Sequence, residues 1–313
     1  MIQLKISGRA GNQLFQYMAP YSYMKENNID EKLKISFEYL KERKTDDNSF
    51  VDILKYFKVE EYEIIDKVEM SFKQKLWDKV YRIFYSFFRS YRKFVKKPMT
   101  YNDWNIIEKL LHKRLNKNGL YYYMPTNLEF YPSNTKNIIF DGVYETKEFF
   151  DLYKNEVKEM FAPIEKPKKE NFELYQTIEK TNSVCITIRR GDFLMNAFKR
   201  NFYICTPEYF YKAIEKMNSL VDSPQYIVFS DDVEWCKNNM NFPNGTLFES
   251  GNDEIWEKIR LMYSCKHFII SNSTFSWWAQ YLGRNDEKKV IAPKEWNRLG
   301  YSAPIYDSEW ILL

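Results

Sequence analysis

Two α/β domains built on mostly parallel sheets are the fold this sequence predicts, and three observations carry the expectation. Apolar runs of strand length alternate with helical periods, most regularly in the second half of the chain. A segment with two prolines and clustered charge, "APIEKPKKE", interrupts them as a linker would. The chain has 313 residues, 44% of them hydrophobic, enough to bury a core in each half. The division expected is 1–162 and 163–313, and a cleft between two such domains is a favoured ligand site.

The first element is a strand, because Ile2, Leu4 and Ile6 alternate with polar residues as in a half-buried strand. Gly8 and Gly11 follow in a turn, and Asn12 stands before an apolar run, where a helix N-cap belongs. Such a turn at the carboxyl end of a strand gathers ligands, and helix amides favour anions. A plain capped turn explains the same residues. Residues up to 162 close with "NIIFDGVYETKEFFDLYK", a buried-looking strand, a polar turn and a helix. Beyond the linker the order is helix at "NFELYQTIEK", strand "SVCITI", helix at "PEYFYKAIEKM", strand "QYIVFS", a helix, strand "KHFIIS", helix "SWWAQYL" and strand "KVIAP".

Composition narrows the function. Cys185, Cys205, Cys236 and Cys265 show no metal-finger or CxxC spacing, and read as free thiols of a reducing compartment. His112 and His267 are the only histidines, too few for a histidine-based metal site or triad. The chain opens on a strand instead of a signal peptide, and no run reaches the ~18 apolar residues of a membrane span. A cytoplasmic protein is expected. The net charge of +4 is too mild to name an anionic partner by itself.

Residues 72–97, "FKQKLWDKVYRIFYSFFRSYRKFVKK", set nine Lys or Arg against a single acid, Asp78. Leu76, Val80, Ile83, Phe84, Phe87, Tyr91, Phe94 and Val95 recur at helical spacing. This is a basic amphipathic helix. It suits an internal helix with a solvated basic face or an interfacial helix on an anionic bilayer; a nucleic-acid surface is disfavoured, since no recognised motif accompanies it.

Three segments carry chemistry. "CITIRRGDF" sets Arg189, Arg190 and Asp192 at the mouth of a strand, where two guanidiniums suit a diphosphate and Asp192 can orient one of them. "IVFSDDVEW" ends a strand in Asp231 and Asp232, better read as helix capping or support of the arginines than as metal ligands. "IISNSTFSWWAQYLG" places Ser271, Asn272, Ser273, Thr274, Phe275 and Ser276 before an aromatic helix, and small hydroxyl residues there suit phosphate oxygens.

Taken in order, "GRAGNQLFQY", "GVYETKEFF", "ITIRRGDF", "FSDD" and "CKHFIISNSTFSWWAQYL" resemble glycosyltransferase family 11, the α-1,2-fucosyltransferases that use GDP-fucose. The resemblance covers nearly the whole chain apart from the basic segment. It implies a GT-B-like fold of two facing Rossmann-like α/β domains with a cleft between them. Residues 1–162 would be the acceptor side and 163–313 the GDP-fucose side. It further implies inverting transfer of L-fucose to the 2-hydroxyl of a terminal β-galactoside, with no metal and no cofactor beyond the donor substrate.

By the same resemblance, Arg189 holds the β-phosphate and is the catalytic charge. Gly11, Asn12, Gln13, Arg190, Asp192, Ser273, Thr274, Phe275 and Ser276 bind the donor. An acid near "CKHFIIS" approaches guanine: Asp253, Glu254 and Glu257 are all candidates, and Glu257 is taken first. Two positions depart from the family pattern, Thr187 where a histidine is usual and Phe193 where a tyrosine is usual. Partners implied by the resemblance are GDP-fucose and a galactose-terminated oligosaccharide; the basic helix adds an anionic inner membrane face and lipid-linked acceptors, and no nucleic acid is expected. A catalytically silent sugar-nucleotide or glycan-binding protein, or a transferase with another donor or linkage, remains the alternative. No general base is visible.

Overall fold

The computed structural model describes residues 1–41, 50–96, 101–122, 129–298 and 304–313. The chain divides into two compact units. Unit 1 comprises Met1–Leu54, Val59–Glu156 and Leu299–Ile305, and unit 2 comprises Lys55–Lys58, Val157–Arg298 and Tyr306–Leu313.

Unit 1 holds strands β1 (Ile2–Lys5), β2 (Leu33–Ser36), β3 (Tyr62–Ile65), β4 (Leu120–Tyr122) and β5 (Ile138–Asp141) in the order β3-β2-β1-β5-β4. Each pairing is parallel. The sequence pattern predicts a half-buried β1, but all four of its residues are buried. As the central strand of a parallel sheet, β1 has no open face. Its polar residues are satisfied internally: Gln3 donates to Asn137 Oδ1 and the Glu69 carbonyl, and Lys5 pairs with Asp141 at 3.2 Å.

Among its described residues this unit holds helices α1 (Ala10–Glu26), α2 (Glu38–Lys41), α3 (Phe72–Phe94) and α4 (Tyr101–Lys117). Gly8 has φ +75°, a left-handed turn that favours glycine. The helix starts earlier than predicted. Arg9, and not Asn12, occupies the N-cap of α1, so Gly11 and Asn12 lie inside its first turn.

Helix α3 begins with a capping box in which the Ser71 hydroxyl accepts from the Gln74 amide and the Gln74 side chain accepts from the Ser71 amide. It is tied to α4 by Arg92, whose Nε and Nη2 both donate to Asp103 at 2.7 Å. The single apolar stripe predicted for this segment is two stripes in the structure. Trp77, Val80, Tyr81, Phe84 and Phe88 pack on a cluster formed by Ile107, Leu111, Leu115, Leu120, Tyr122 and Ile139. Leu76, Ile83, Phe87, Tyr91 and Phe94 stay exposed. Lys97, the last residue of the predicted segment, lies outside the described residues.

Unit 2 is a six-stranded parallel sheet: β6 (Asn182–Ile188), β7 (Pro224–Ser230), β8 (Leu247–Phe248), β9 (His267–Ile269), β10 (Val290–Ala292) and β11 (Ile311–Leu312), in the order β11-β10-β9-β6-β7-β8. Helix α5 (Lys154–Met160) straddles the division between the units. Then follow α6 (Phe172–Lys180), α7 (Asn196–Phe202), α8 (Pro207–Asn218), α9 (Val233–Asn239), α10 (Ile255–Ser264) and α11 (Thr274–Leu282). The apolar strands β6 and β7 form one core cluster with Phe210, Ala213, Ile214 and Met217 of α8. From β6 the chain adds strands on one side as β7 and β8, then returns to β6's other side for β9, β10 and β11. That reversal makes a topological switch point at β6 and β9, outside whose carboxyl ends ligands bind in open α/β sheets. Among the described residues no helix is long and apolar enough to cross a membrane.

Candidate active site

The arginine loop leaves β6 at this switch point. Arg189 donates from Nε and Nη2 to Asp192 Oδ1 at 3.2 and 2.7 Å, and from Nη1 to Asp231 Oδ2 at 2.9 Å. Its side chain keeps 24% exposure, so a fixed guanidinium still faces solvent. Arg190 is held more deeply. Its amide donates to Asp231 Oδ1 at 2.8 Å, its Nε reaches Asp232 Oδ2 at 3.2 Å, and its guanidinium carbon lies 3.2 Å from the centre of the Trp235 ring. Asp232 also caps α9, accepting from the Trp235 amide. The paired acids after β7 therefore cap a helix and brace the arginines.

Gly191 is required by this bracing. A Cβ there would stand 2.5 Å from Asp231 Oδ2. Asp231 cannot easily withdraw, because its two oxygens already serve Arg189 and the Arg190 amide.

On the other side of β6, the loop after β9 is joined to it by the Ser271 amide, which donates to the Thr187 hydroxyl at 3.1 Å. Thr187, standing where the family pattern has histidine, is only 3% exposed and serves as an internal acceptor. Asn272 is buried too, donating to the carbonyls of Phe202 and Trp296 at 2.9 Å each. Ser273 occupies the N-cap of α11 without a side-chain cap bond. Ser273, Thr274 and Phe275 are half-buried, whereas Ser276 is buried and shares a hydrogen bond with Ser271 at 3.2 Å. The arginine loop at the end of β6 and the N-terminus of α11 after β9 thus stand at neighbouring strand ends, the arginines paired with Asp192, Asp231 and Asp232.

Two predicted donor contacts take other roles. Glu257 is fully buried; Oε1 accepts from the Lys168 amide and Asn171 Nδ2 at 3.0 Å each, and Oε2 accepts from Arg260 at 2.9 Å. It fastens α6 to α10 and presents no edge to a base. Gln13 is likewise fully buried, donating to the Gly8 and Val51 carbonyls and accepting from the Ile53 amide. It anchors residues 51–53 to the glycine turn. Gly11 is buried within α1, and Asn12 is half-buried beside it.

Unit 1 has its own switch point, where β1 lies beside β5. Gln16 links the two strand ends: it accepts from the Ser7 amide at 2.9 Å and donates to the Ser7 hydroxyl at 2.9 Å and the Gly142 carbonyl at 2.8 Å. Shortly after Gly142 stands Glu145, half-buried, whose carboxyl burial pushes up to about 7. Its identity is plain within "GVYETKEFF"; its desolvation is a tertiary effect without a sequence signal. Among the described residues no group of three or more His, Cys, Asp or Glu side chains is placed to hold a metal ion.

Two Rossmann-like parallel sheets, each in its own unit, define a protein of the GT-B-like class. The chain belongs to glycosyl transferase family 11, whose family model matches residues 1–313. It is 33% identical over 168 residues to an alpha-1,2-colitosyltransferase of Escherichia coli, an alignment covering 51% of this chain and 56% of that protein. It is 26% identical over 316 residues to the O-antigen biosynthesis glycosyltransferase WbnK of the same organism, covering 98% and 99% of the two chains. Human galactoside alpha-(1,2)-fucosyltransferase 1 is 29% identical over 107 residues, 33% of this chain and 29% of that protein. Among solved structures, fucosyltransferase NodZ from Bradyrhizobium shares the fold with a TM-score of 0.50 and 12% identity, covering 90% of this chain and 92% of that one.

Proposed function

We propose that this glycosyltransferase moves L-fucose from GDP-fucose to the 2-hydroxyl of a terminal β-galactoside, with inversion at the sugar carbon. The observation that carries the reading is the Arg189–Arg190 loop set beside the α11 N-terminus at the unit 2 switch point. There the β-phosphate meets Arg189 and the Ser273–Thr274 helix terminus as the sugar–phosphate bond breaks. Charge develops on the leaving GDP, and fixed donors aimed at it lower the barrier without reorganising. The sugar passes through an oxocarbenium-like state, the acceptor oxygen bonds to the opposite face, and its proton is released late, to solvent. Arg189 is held by two carboxylates and keeps 24% exposure, and it is from that exposed part that it meets the diphosphate. The α-1,2 linkage is supported by the names of the relatives, and the fucosyl donor by the human one.

A second donor is favoured by one specific observation, the 33% identity to a protein named for colitose. Colitose lacks the 3-hydroxyl of fucose, so the two donors differ by a single polar group. The cytoplasm is the compartment proposed, on four free and buried cysteines.

The experiment is GDP release from GDP-fucose and GDP-colitose with a panel of β-galactosides, run with chelator and followed by linkage analysis. Fucose on the galactose 2-hydroxyl establishes donor, linkage and metal independence together. Faster release from GDP-colitose moves the donor assignment, and tight GDP binding without release from either identifies a silent binding protein.

A further inference from the structure

Helix α3 carries more apolar surface than the protein covers. At 100° per residue, Phe72, Leu76, Ile83, Phe87 and Phe94 fall within an arc of about 60°. Every one of them is exposed, Phe72 at 87%, Phe87 at 66% and Phe94 at 86%. The packed side chains Trp77, Tyr81, Phe84 and Phe88 project from the other side of the helix, so the bare stripe is no continuation of the core. Bare aromatic and aliphatic side chains in a continuous row mark an interaction surface.

The charge beside that row names the partner. Lys75, Lys79, Arg82, Arg89 and Lys93 flank the stripe on one edge and Lys73 on the other, all of them exposed. Asp78, the single acid of the helix, is engaged with Arg82 at 2.7 Å and with the Tyr122 hydroxyl at 2.7 Å. An open groove of about 490 Å³ follows the line where the two surfaces meet, lined by Lys79, Arg82, Ile83, Ser86, Phe87 and Ser90. A partner must therefore be apolar along one line and anionic beside it. A second copy of the chain pairing this face with itself would set basic edge against basic edge, which repels.

We propose that this face of α3 lies flat on an anionic lipid bilayer, its apolar row entering the headgroup boundary and its lysines and arginines meeting lipid phosphates. The geometry matches an in-plane amphipathic helix, and the Arg92–Asp103 tie and the Gln74 side chain, which donates to the Asn137 carbonyl at 2.8 Å, hold it to unit 1. Leu110 and Ile106 on the neighbouring α4 are exposed as well. This inference is independent of which sugar is transferred.

The test is co-sedimentation of the full chain with vesicles of phosphatidylcholine alone or mixed with phosphatidylglycerol, at low and high salt. Recovery is expected with the anionic vesicles only, falling at high salt. The Ile83→Asp, Phe87→Asp double variant is expected to lose at least ~10-fold in binding at an unchanged melting temperature. Should that variant fold poorly, Lys79→Glu with Arg89→Glu alters only solvated positions and is expected to lose at least ~10-fold. Equal recovery with neutral and anionic vesicles, or undiminished binding by a well-folded variant, overturns the proposal. So does a dimer that the double variant converts to monomer and that binds no vesicles.

Discussion

Arg189 Nη1 donates to Asp231 Oδ2 at 2.9 Å, and this bond joins the carboxyl end of β6 to that of β7. The catalytic charge proposed here is thus not a mobile surface arginine. Asp231 fixes it from one strand end and Asp192 from its own loop, so its orientation is set before any donor arrives. Preorganisation of this kind is what makes a cation effective toward a leaving diphosphate.

Arg189→Ala is expected to lower turnover at least ~100-fold, the usual scale for deleting a main charge stabiliser. Arg189→Lys keeps the charge but cannot span Asp192 and Asp231, so its rate should fall between the two. Initial rates of GDP release at saturating donor, with melting temperatures as control, decide it. A near-normal rate for the alanine variant removes Arg189 from the mechanism.

Gly191→Ala tests the bracing and not the charge. The added Cβ would stand 2.5 Å from Asp231 Oδ2, so the carboxylate must leave its place. Misplacing a catalytic group by about 1 Å costs up to ~100-fold, and a loss of ~10- to 100-fold in kcat/KM is expected. Full activity would mean that Asp231 does not position Arg189.

Gln16→Ala removes three hydrogen bonds linking the ends of β1 and β5. At ~1 kcal/mol each, the loss should be ~2–3 kcal/mol, read as a lower urea midpoint. The two faces of α3 give a companion pair. Phe84→Ala should destabilise by ~2 kcal/mol or more because Phe84 packs on the α4 cluster, while Phe87→Ala should leave the midpoint within ~0.5 kcal/mol.

Glu145 makes stability depend on pH in a stated direction. Its carboxyl rises from an ordinary 4.5 to about 7 in the folded protein, so the fold binds that proton more tightly than the unfolded chain. Its contribution is greatest below 4.5 and falls as pH climbs through about 7. Glu249, buried and also raised, acts in the same direction and leaves a residual slope. Glu145→Gln should therefore melt higher than the parent at pH 8 and indistinguishably from it at pH 4. Parallel melting curves for the two proteins across that range would show that Glu145 is not desolvated.

Sequence alone determined the alternation of strands and helices, the end of β6 as the place of the arginines, and the amphipathic character of α3. Those are local properties: apolar runs of strand length, Gly8 at a left-handed turn, and charge against apolar period within one helix. Five ordered segments also carried the family, which its matching model spans from end to end. The units themselves divide after Glu156 and not at 162, each taking in short segments from across that point, so that "APIEKPKKE" lies within unit 2. Tertiary structure decided what each polar residue is used for. Gln13 and Glu257 look like ligand contacts in the sequence, yet burial obliges their oxygens and amide to satisfy neighbouring backbone and Arg260. Thr187 became an internal acceptor for the same reason. The division of α3 into a packed and a bare face depends on where α4 lies, and no helical period encodes that, because it is a contact between segments and not a property of one.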